Sequence, residues 1–408
     1  MLLQIILALI CGVSAGTLTG LIPGIHINLI TIILLGFSAT LLNLTSPLTL
    51  VIFITSMAIT HTFVDYIPSI FLGAPDDDTI LSILPGHQLL LKGRAYYAVV
   101  FTLYGSIFSL IIILIFTPIF IYLLPIIYPY VQKIMWIILI LASLYLISTE
   151  KEANKKLWAL IIFLLAGFLG IASLNLNIKE PLLPLLTGLF GASNLVISIK
   201  QKTKIPKQKI ARLKKIRLRK KSIAKASLAA IIAAPFTAFL PGLGASQAAL
   251  IGREVLGEEQ TQTDSREFLF LLGAINTIVM ALSFIALYSI QRTRTGAAVA
   301  ISQLLPNLTI QNIIFIIIII IISGILAFFI SIFLSKLIAK NIHKIKYSKI
   351  SITIIIILMA LTIYFTGILG LLVFLVATSL GISTILLGIK RMHLMGCLLV
   401  PTIFFYLL

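Results

Sequence analysis

Residues Asn312–Ser335, NIIFIIIIIIISGILAFFISIFLS, run for 24 positions without a charged side chain. As an α-helix such a run is about 36 Å long, enough to cross a hydrocarbon layer of about 30 Å. Comparable apolar runs lie on either side of it, at 2–22, 27–45, 47–63, 97–128, 131–148, 157–173, 183–199, 227–250, 268–290, 351–388 and 394–408. None alternates with a period of two, as the strands of a membrane barrel do. Lipid offers the backbone no hydrogen-bond partner, so helices are the spanning element that remains. Across all 408 residues 60% are apolar and 11% charged. Soluble domains carry about 25% charged residues. Lipid explains the deficit, since an ionised side chain at mid-bilayer costs about 2.5–3.5 kcal/mol. The fold class is therefore an all-α integral membrane protein with about ten to twelve transmembrane helices. The 351–388 run is long enough for two spans with a break near Gly367 and Gly370, and Pro118 and Pro125 mark a kink or an end in 97–128.

The formal charge of +19 is concentrated, with thirteen Lys or Arg and no acid between Lys200 and Lys225. Apolar runs flank this stretch on both sides. It reads as a cytoplasmic loop under the positive-inside rule, with attraction to anionic lipid as a by-product, and not as a nucleic-acid site. Lys92 and Arg94, Lys151 to Lys156, Lys336 to Lys349, and Lys390 with Arg391 read as cytoplasmic in the same way. The expected location is the cytoplasmic membrane, with many passes. The N-terminus is apolar from Met1 without a basic leader, so it reads as a retained membrane segment. Cys11 and Cys397 sit in apolar runs, with neither disulfide nor metal spacing. No cofactor motif is present.

The basic loop 200–226 divides the chain into halves, 1–199 and 227–408, that open alike. The first has Thr19-Gly20-Leu21-Ile22-Pro23-Gly24-Ile25-His26-Ile27-Asn28, and the second Ala238-Phe239-Leu240-Pro241-Gly242-Leu243-Gly244-Ala245-Ser246-Gln247. Polar islands follow in order, with Thr60, His61, Thr62, Asp65 and Tyr66 in the first half and Asn276 and Thr277 in the second. Gly93 to Val99 then echoes Arg294 to Val299. Read together, these are two membrane repeats, an inverted pair. Pro-Gly interrupts a helix, and free backbone ends at membrane depth are tolerated only beside protein or a wet cavity. A half-helix N-terminus is also an anion site. Paired interruptions at corresponding places in two halves point to a transporter's binding site. The helices there are expected to be broken or re-entrant, which leaves the topology of 1–75 and 227–335 open.

The expected substrate site therefore comprises Pro23, Gly24, Asn28, Pro241, Gly242, Gly244, Ser246 and Gln247, with Asn276 and Thr277 beside them. The alternative for the Asn is interhelical glue. His61 and Asp65, four residues apart, share a helical face and are candidates for ion coupling. A plain His-Asp hydrogen bond is the alternative, and two ligands without a third make a weak metal signal. Asp76, Asp77 and Asp78 suit a helix cap, with cation attraction the alternative. Lys92 and Arg94 read as membrane-edge anchors, whereas Arg292 and Arg294 are carboxylate-partner candidates.

Several of these motifs resemble the large membrane subunit of tripartite tricarboxylate transporters. The resemblance rests on Gly73-Ala74-Pro75-Asp76-Asp77-Asp78-Thr79, Leu84-Pro85-Gly86-His87-Gln88, Lys92-Gly93-Arg94-Ala95, the Leu-Pro-Gly elements of both halves, and Thr187-Gly188-Leu189-Phe190-Gly191. It covers most of residues 12–300. The chain is similar to the compact archaeal branch. Gly273 to Thr277 stands near the place of an acid-Ala-Asn-Asn region, and the second Pro-Gly of that half is missing. The resemblance implies a secondary transporter permease for a small carboxylate, of the di- or tricarboxylate class. It further implies coupling to a cation gradient of Na⁺ or H⁺ and two partners, a small membrane subunit and an extracytoplasmic binding protein. A translocase for a lipid-linked phosphate would use the same half-helix chemistry. An intramembrane enzyme built on His61 and Asp65 would need a nucleophile or metal set that the sequence does not display.

Overall fold

In the computed structural model the described residues are 2–22, 42–43, 45–73, 83–178, 180–200, 205–239, 245, 248–249, 252, 262–293, 295–344 and 347–407, and every regular element among them is helical. The helices are α1 (Leu2–Leu21), α2 (Pro47–Val64), α3 (Tyr66–Leu72), α4 (Ile83–Leu91), α5 (Ala95–Lys133), α6 (Met135–Ser148) and α7 (Ala153–Asn175). Next, α8 (Leu182–Leu186) passes through a π-helical turn, Thr187–Ala192, into α9 (Ser193–Lys200). Then come α10 (Lys220–Phe239), α11 (Gln262–Ile290), α12 (Gly296–Leu304), α13 (Ile310–Asn341), α14 (Tyr347–Leu386) and α15 (Gly396–Leu407).

Among the described residues eight helical stretches are long and apolar enough to cross a membrane, and Met135–Ser148 and Arg391–Leu407 are shorter apolar helices. The expected run 27–45 falls largely outside the described residues. The 351–388 run divides where expected, since Gly367 (φ 69°, ψ −163°), a conformation open to glycine because it has no Cβ, joins two helices end to end within α14. The other expected division takes another form. The 97–128 run continues through Pro118, Pro125 and Pro129 to Lys133. Each proline forfeits one backbone bond, but an unravelled chain in lipid would forfeit many more.

Helix α11 is the centre of the bundle. Its most apolar stretch is buried along its whole length, against α5, α10 and α2. In lipid there is no hydrophobic drive to bring helices together, so close backbone packing has to do it. Glycines provide the approach. A Cβ on Gly105 of α5 would stand 1.9 Å from the Phe270 carbonyl oxygen of α11. One on Gly273 of α11 would stand 2.0 Å from the Thr102 carbonyl oxygen of α5. A second seam joins α1 to α2, where Cβ atoms on Gly12 and Gly16 would lie 2.5 Å from the Phe53 and 2.4 Å from the Met57 carbonyl oxygens.

Helices from before and after the basic loop interleave. Helix α2 packs on α13, α5 on α11, α7 on α15, and the π-turn on α14. The outer faces are apolar and exposed, with Tyr364 at 81% and Ile368 at 74% on α14, as lipid-facing surfaces are.

Candidate functional site

The site forms where α2 gives way to α3. Pro68 has no N–H to offer the carbonyl one turn earlier, so the ladder is interrupted around Asp65. The Asp65 backbone stays near helical (φ −59°, ψ −23°), its N–H donating to the His61 carbonyl at 3.0 Å. The Ser69 hydroxyl donates to the Asp65 carbonyl at 2.7 Å, beside the longer bond from the Ser69 N–H to the same oxygen at 3.4 Å. The result is a buried corner carrying an ionisable side chain.

Among the described residues, two helices bring polar groups to this corner. From α1, the Thr19 hydroxyl lies 3.0 Å from His61 Nδ1. That contact depends on the glycine seam, since a Cβ on Gly20 would meet Val64 Cβ at 2.9 Å. From α11, Asn276 Nδ2 donates to Asp65 Oδ2 at 3.1 Å and approaches the Thr62 carbonyl at 3.5 Å. The Tyr66 hydroxyl donates to the Leu272 carbonyl at 2.9 Å, fixing α3 to α11 one turn from Asn276. His61 and Asp65 are each 4% exposed and Asn276 2%. Among the described residues the buried Thr55 and Thr60 hydroxyls of α2 have no hydrogen-bond partner. Buried hydroxyls left so are uncommon.

Of the expected site residues, the structure brings together His61, Asp65 and Asn276, and their contact joins the two halves of the chain. Thr277 is buried beside them, but its hydroxyl donates to the Gly273 carbonyl of its own helix at 3.2 Å. The expectations for Pro23, Gly24, Asn28, Pro241, Gly242, Gly244, Ser246 and Gln247 lie outside the described residues, as do those for Asp76, Asp77, Asp78 and Arg294. Arg292 stands exposed beyond the end of α11, its guanidinium 5.8 Å from the centre of the Tyr128 ring. It is fourteen helical residues and more from Asn276, so it does not belong to the central cluster.

A second polar cluster has no counterpart among the expected sites. The buried Glu150 carboxylate lies 3.0 Å from Nε2 of His393, which is fully buried, and accepts the Lys390 backbone N–H at 3.1 Å. The Lys390 ammonium donates to the Thr149 carbonyl at 2.7 Å. Arg391 donates to the π-turn carbonyls of Leu189 and Phe190 and to the Ser193 hydroxyl. Lys390 and Arg391, expected as cytoplasmic loop charges, thus reach inward, Lys390 to the carbonyl at the end of α6 and Arg391 to carbonyls of the π-helical turn. Near them, burial and then the Arg391 guanidinium hold the His87 pKa below its ordinary value.

Comparison with known proteins gives this geometry a context. The profile of the family described as the tripartite tricarboxylate transporter TctA family matches residues 6–396. An uncharacterized protein of Methanocaldococcus jannaschii is 33% identical over 412 residues, covering 98% of this chain and 99% of that one. No solved structure matches. A transporter family fits a multi-pass helical chain whose halves meet in a buried polar junction. This chain belongs to the tripartite tricarboxylate transporter TctA family.

Proposed function

We propose that this protein is the permease of a secondary transport system that moves a small di- or tricarboxylate across the cytoplasmic membrane, driven by a Na⁺ or H⁺ gradient. The observation that carries the reading is the central junction, where the Asp65 carboxylate of one half accepts from the Asn276 amide of the other at 3.1 Å. Ionisable side chains at membrane depth are expensive, and where they occur they mark ion or substrate routes.

The packing supports an inverted repeat. Helix α1 lies on α2 as α10 lies on α11, and α2 meets α13 of the opposite half as α11 meets α5. Such repeats place their sites near the midplane where the two units meet. In this reading Pro23, Gly24 and Asn28 of one half and Pro241, Gly242, Gly244, Ser246 and Gln247 of the other open half-helix ends toward the substrate. Its carboxylates are met by backbone N–H groups. Asn276 and Thr277 border that hollow.

Asp65, with His61 behind it, takes up the coupling ion. A proton neutralises Asp65 outright. A Na⁺ ion would draw on carboxylate, carbonyl and amide oxygens, and Asn276 offers its Oδ1 if the amide turns over. Either event changes the bond between the halves, which is the step that alternating access requires. A small membrane subunit and an extracytoplasmic binding protein would complete the system.

The test is uptake of labelled citrate and succinate into proteoliposomes under a Na⁺ gradient, a pH gradient or neither, beside a thermal-shift screen of the same acids. Ion-driven uptake by the wild type and its loss in Asp65→Asn are expected. Full ion-driven uptake by Asp65→Asn would remove the assigned coupling role, and a wild type that neither transports nor is stabilised by any di- or tricarboxylate would remove the substrate class.

A further inference from the structure

Residues 205–219 of the basic loop form a fixed strap. Gln208 is buried within it and anchors it to the turn between α4 and α5. Its Oε1 accepts the Ala95 N–H at 2.9 Å, serving as the cap that the first turn of α5 otherwise lacks, and its Nε2 donates to the Leu90 carbonyl at 3.1 Å. The Lys209 N–H donates to the Gly93 carbonyl at 2.7 Å. Gly93 turns the chain at φ +70°, where a Cβ would press on the Lys207 carbonyl oxygen at 3.0 Å. Further along, the Tyr104 hydroxyl of α5 donates to the Leu213 carbonyl at 3.0 Å, and Ile216 is buried.

Between these anchors the side chains alternate. Gln208 and Ile216 point in, while Lys207, Lys209, Arg217 and Arg219 point out and are exposed. Over residues 205–221 there are nine Lys or Arg and no acid. No ion pair to these residues occurs among the described residues. The strap leads into α10, where Lys221, Leu228 and Ile232 share one helical face at spacings of seven and four and are all exposed. Charge followed along a single face by apolar surface is the order of a lipid's headgroup and chains.

We propose that the strap and the first turn of α10 form a binding surface for the anionic headgroups of membrane phospholipids. The inference stands independently of the transport reading. Unstructured basic tails attract anionic membranes diffusely, whereas a pinned row of cations holds its charges at fixed spacing and makes the headgroup contact part of the fold.

Native mass spectrometry of the purified full-length protein, titrated with phosphatidylglycerol or phosphatidylcholine, tests this. The wild type is expected to prefer phosphatidylglycerol by about tenfold, with the preference falling at high salt. Replacing Lys207, Lys209, Arg212, Lys214 and Lys215 together by Gln should abolish that preference. Gln208→Ala keeps every charge but releases the strap, and should weaken the preference by about threefold. Equal binding of the two lipids by wild type would overturn the proposal. So would an undiminished preference in the fivefold variant, or displacement of the lipid by inorganic phosphate at equal concentration, which would point to a soluble anion. If the fivefold variant does not fold, Gln208→Ala decides, since a preference equal to wild type there removes the fixed strap as its cause.

Discussion

Among the described residues, two buried polar clusters are built on different principles. Around Asp65 the contacts are dispersed, the Thr19 hydroxyl of α1 lying against His61 and the Asn276 amide of α11 donating to Asp65. Around Glu150 the bonds converge, with the carboxylate holding both His393 and the Lys390 backbone while the Lys390 ammonium holds Thr149. The second arrangement ties the end of α6 to the start of the C-terminal segment through several bonds. It resists opening. The first joins the halves of the chain through separate single bonds, from the Asn276 amide to Asp65 and from the Tyr66 hydroxyl to the Leu272 carbonyl, and one bond of that kind is worth about 0.6–2 kcal/mol in a membrane. A junction that must part and re-form in every transport cycle needs weak ties, and a clamp needs strong ones.

Exchanging the effects of the two clusters is the sharpest way to break that comparison. Asp65→Asn should lower ion-driven uptake by about a hundredfold while leaving melting behaviour close to wild type, since Asn can still hydrogen-bond but neither takes up a proton nor supplies the negative charge that balances a cation. Glu150→Ala should behave in the opposite sense, costing about 2–3 kcal/mol of stability by stranding His393 and the Lys390 N–H, with uptake per folded molecule unchanged. Uptake in liposomes and thermal unfolding in detergent, measured on both variants, separate the outcomes. If Glu150→Ala were stable and inactive, the clamp would belong to the transport machinery. The next effect in size is that of Asn276→Ala, for which about tenfold slower uptake is expected, as the bond from the second half to Asp65 is lost while the ionisable group remains. Unchanged uptake there would make Asn276 plain interhelical glue.

The extents of the helices were legible because lipid dictates length and composition residue by residue. The run read as 268–290 is α11, Gln262–Ile290, and that read as 157–173 is α7, Ala153–Asn175. The polar island of each half was legible too, as polar residues inside an apolar run. Their meeting was not, because Asp65 and Asn276 are 211 positions apart and nothing local to either names its partner. The same holds for Glu150 and His393, 243 positions apart. A different kind of miss is the seam on α1. Gly12, Gly16 and Gly20 recur every fourth residue, the spacing of small residues that lets membrane helices touch, and the signal is in plain view. Lys390 and Arg391 were legible as cations near a span end, but their inward contacts were not, because such a cation reads the same whether it faces water or bonds carbonyls of a neighbouring helix.

The smallest expected effect probes that seam where it reaches the central cluster. Thr19 contributes its hydroxyl to His61 Nδ1 only because the glycines of α1 let the two backbones approach. Thr19→Val keeps the shape and removes the hydroxyl, leaving a buried imidazole nitrogen short of a partner. The cost should be about 1 kcal/mol in stability. Uptake should fall about threefold, because the ring loses one of the contacts that orient it behind Asp65. Thr19→Ser restores the hydroxyl without the methyl group and should recover most of the uptake. If Thr19→Val transports like wild type while Thr19→Ser is the weaker variant, packing rather than hydrogen bonding is what α1 brings to the cluster. His61 would then be a filler of the seam, and ion coupling would rest on Asp65 alone.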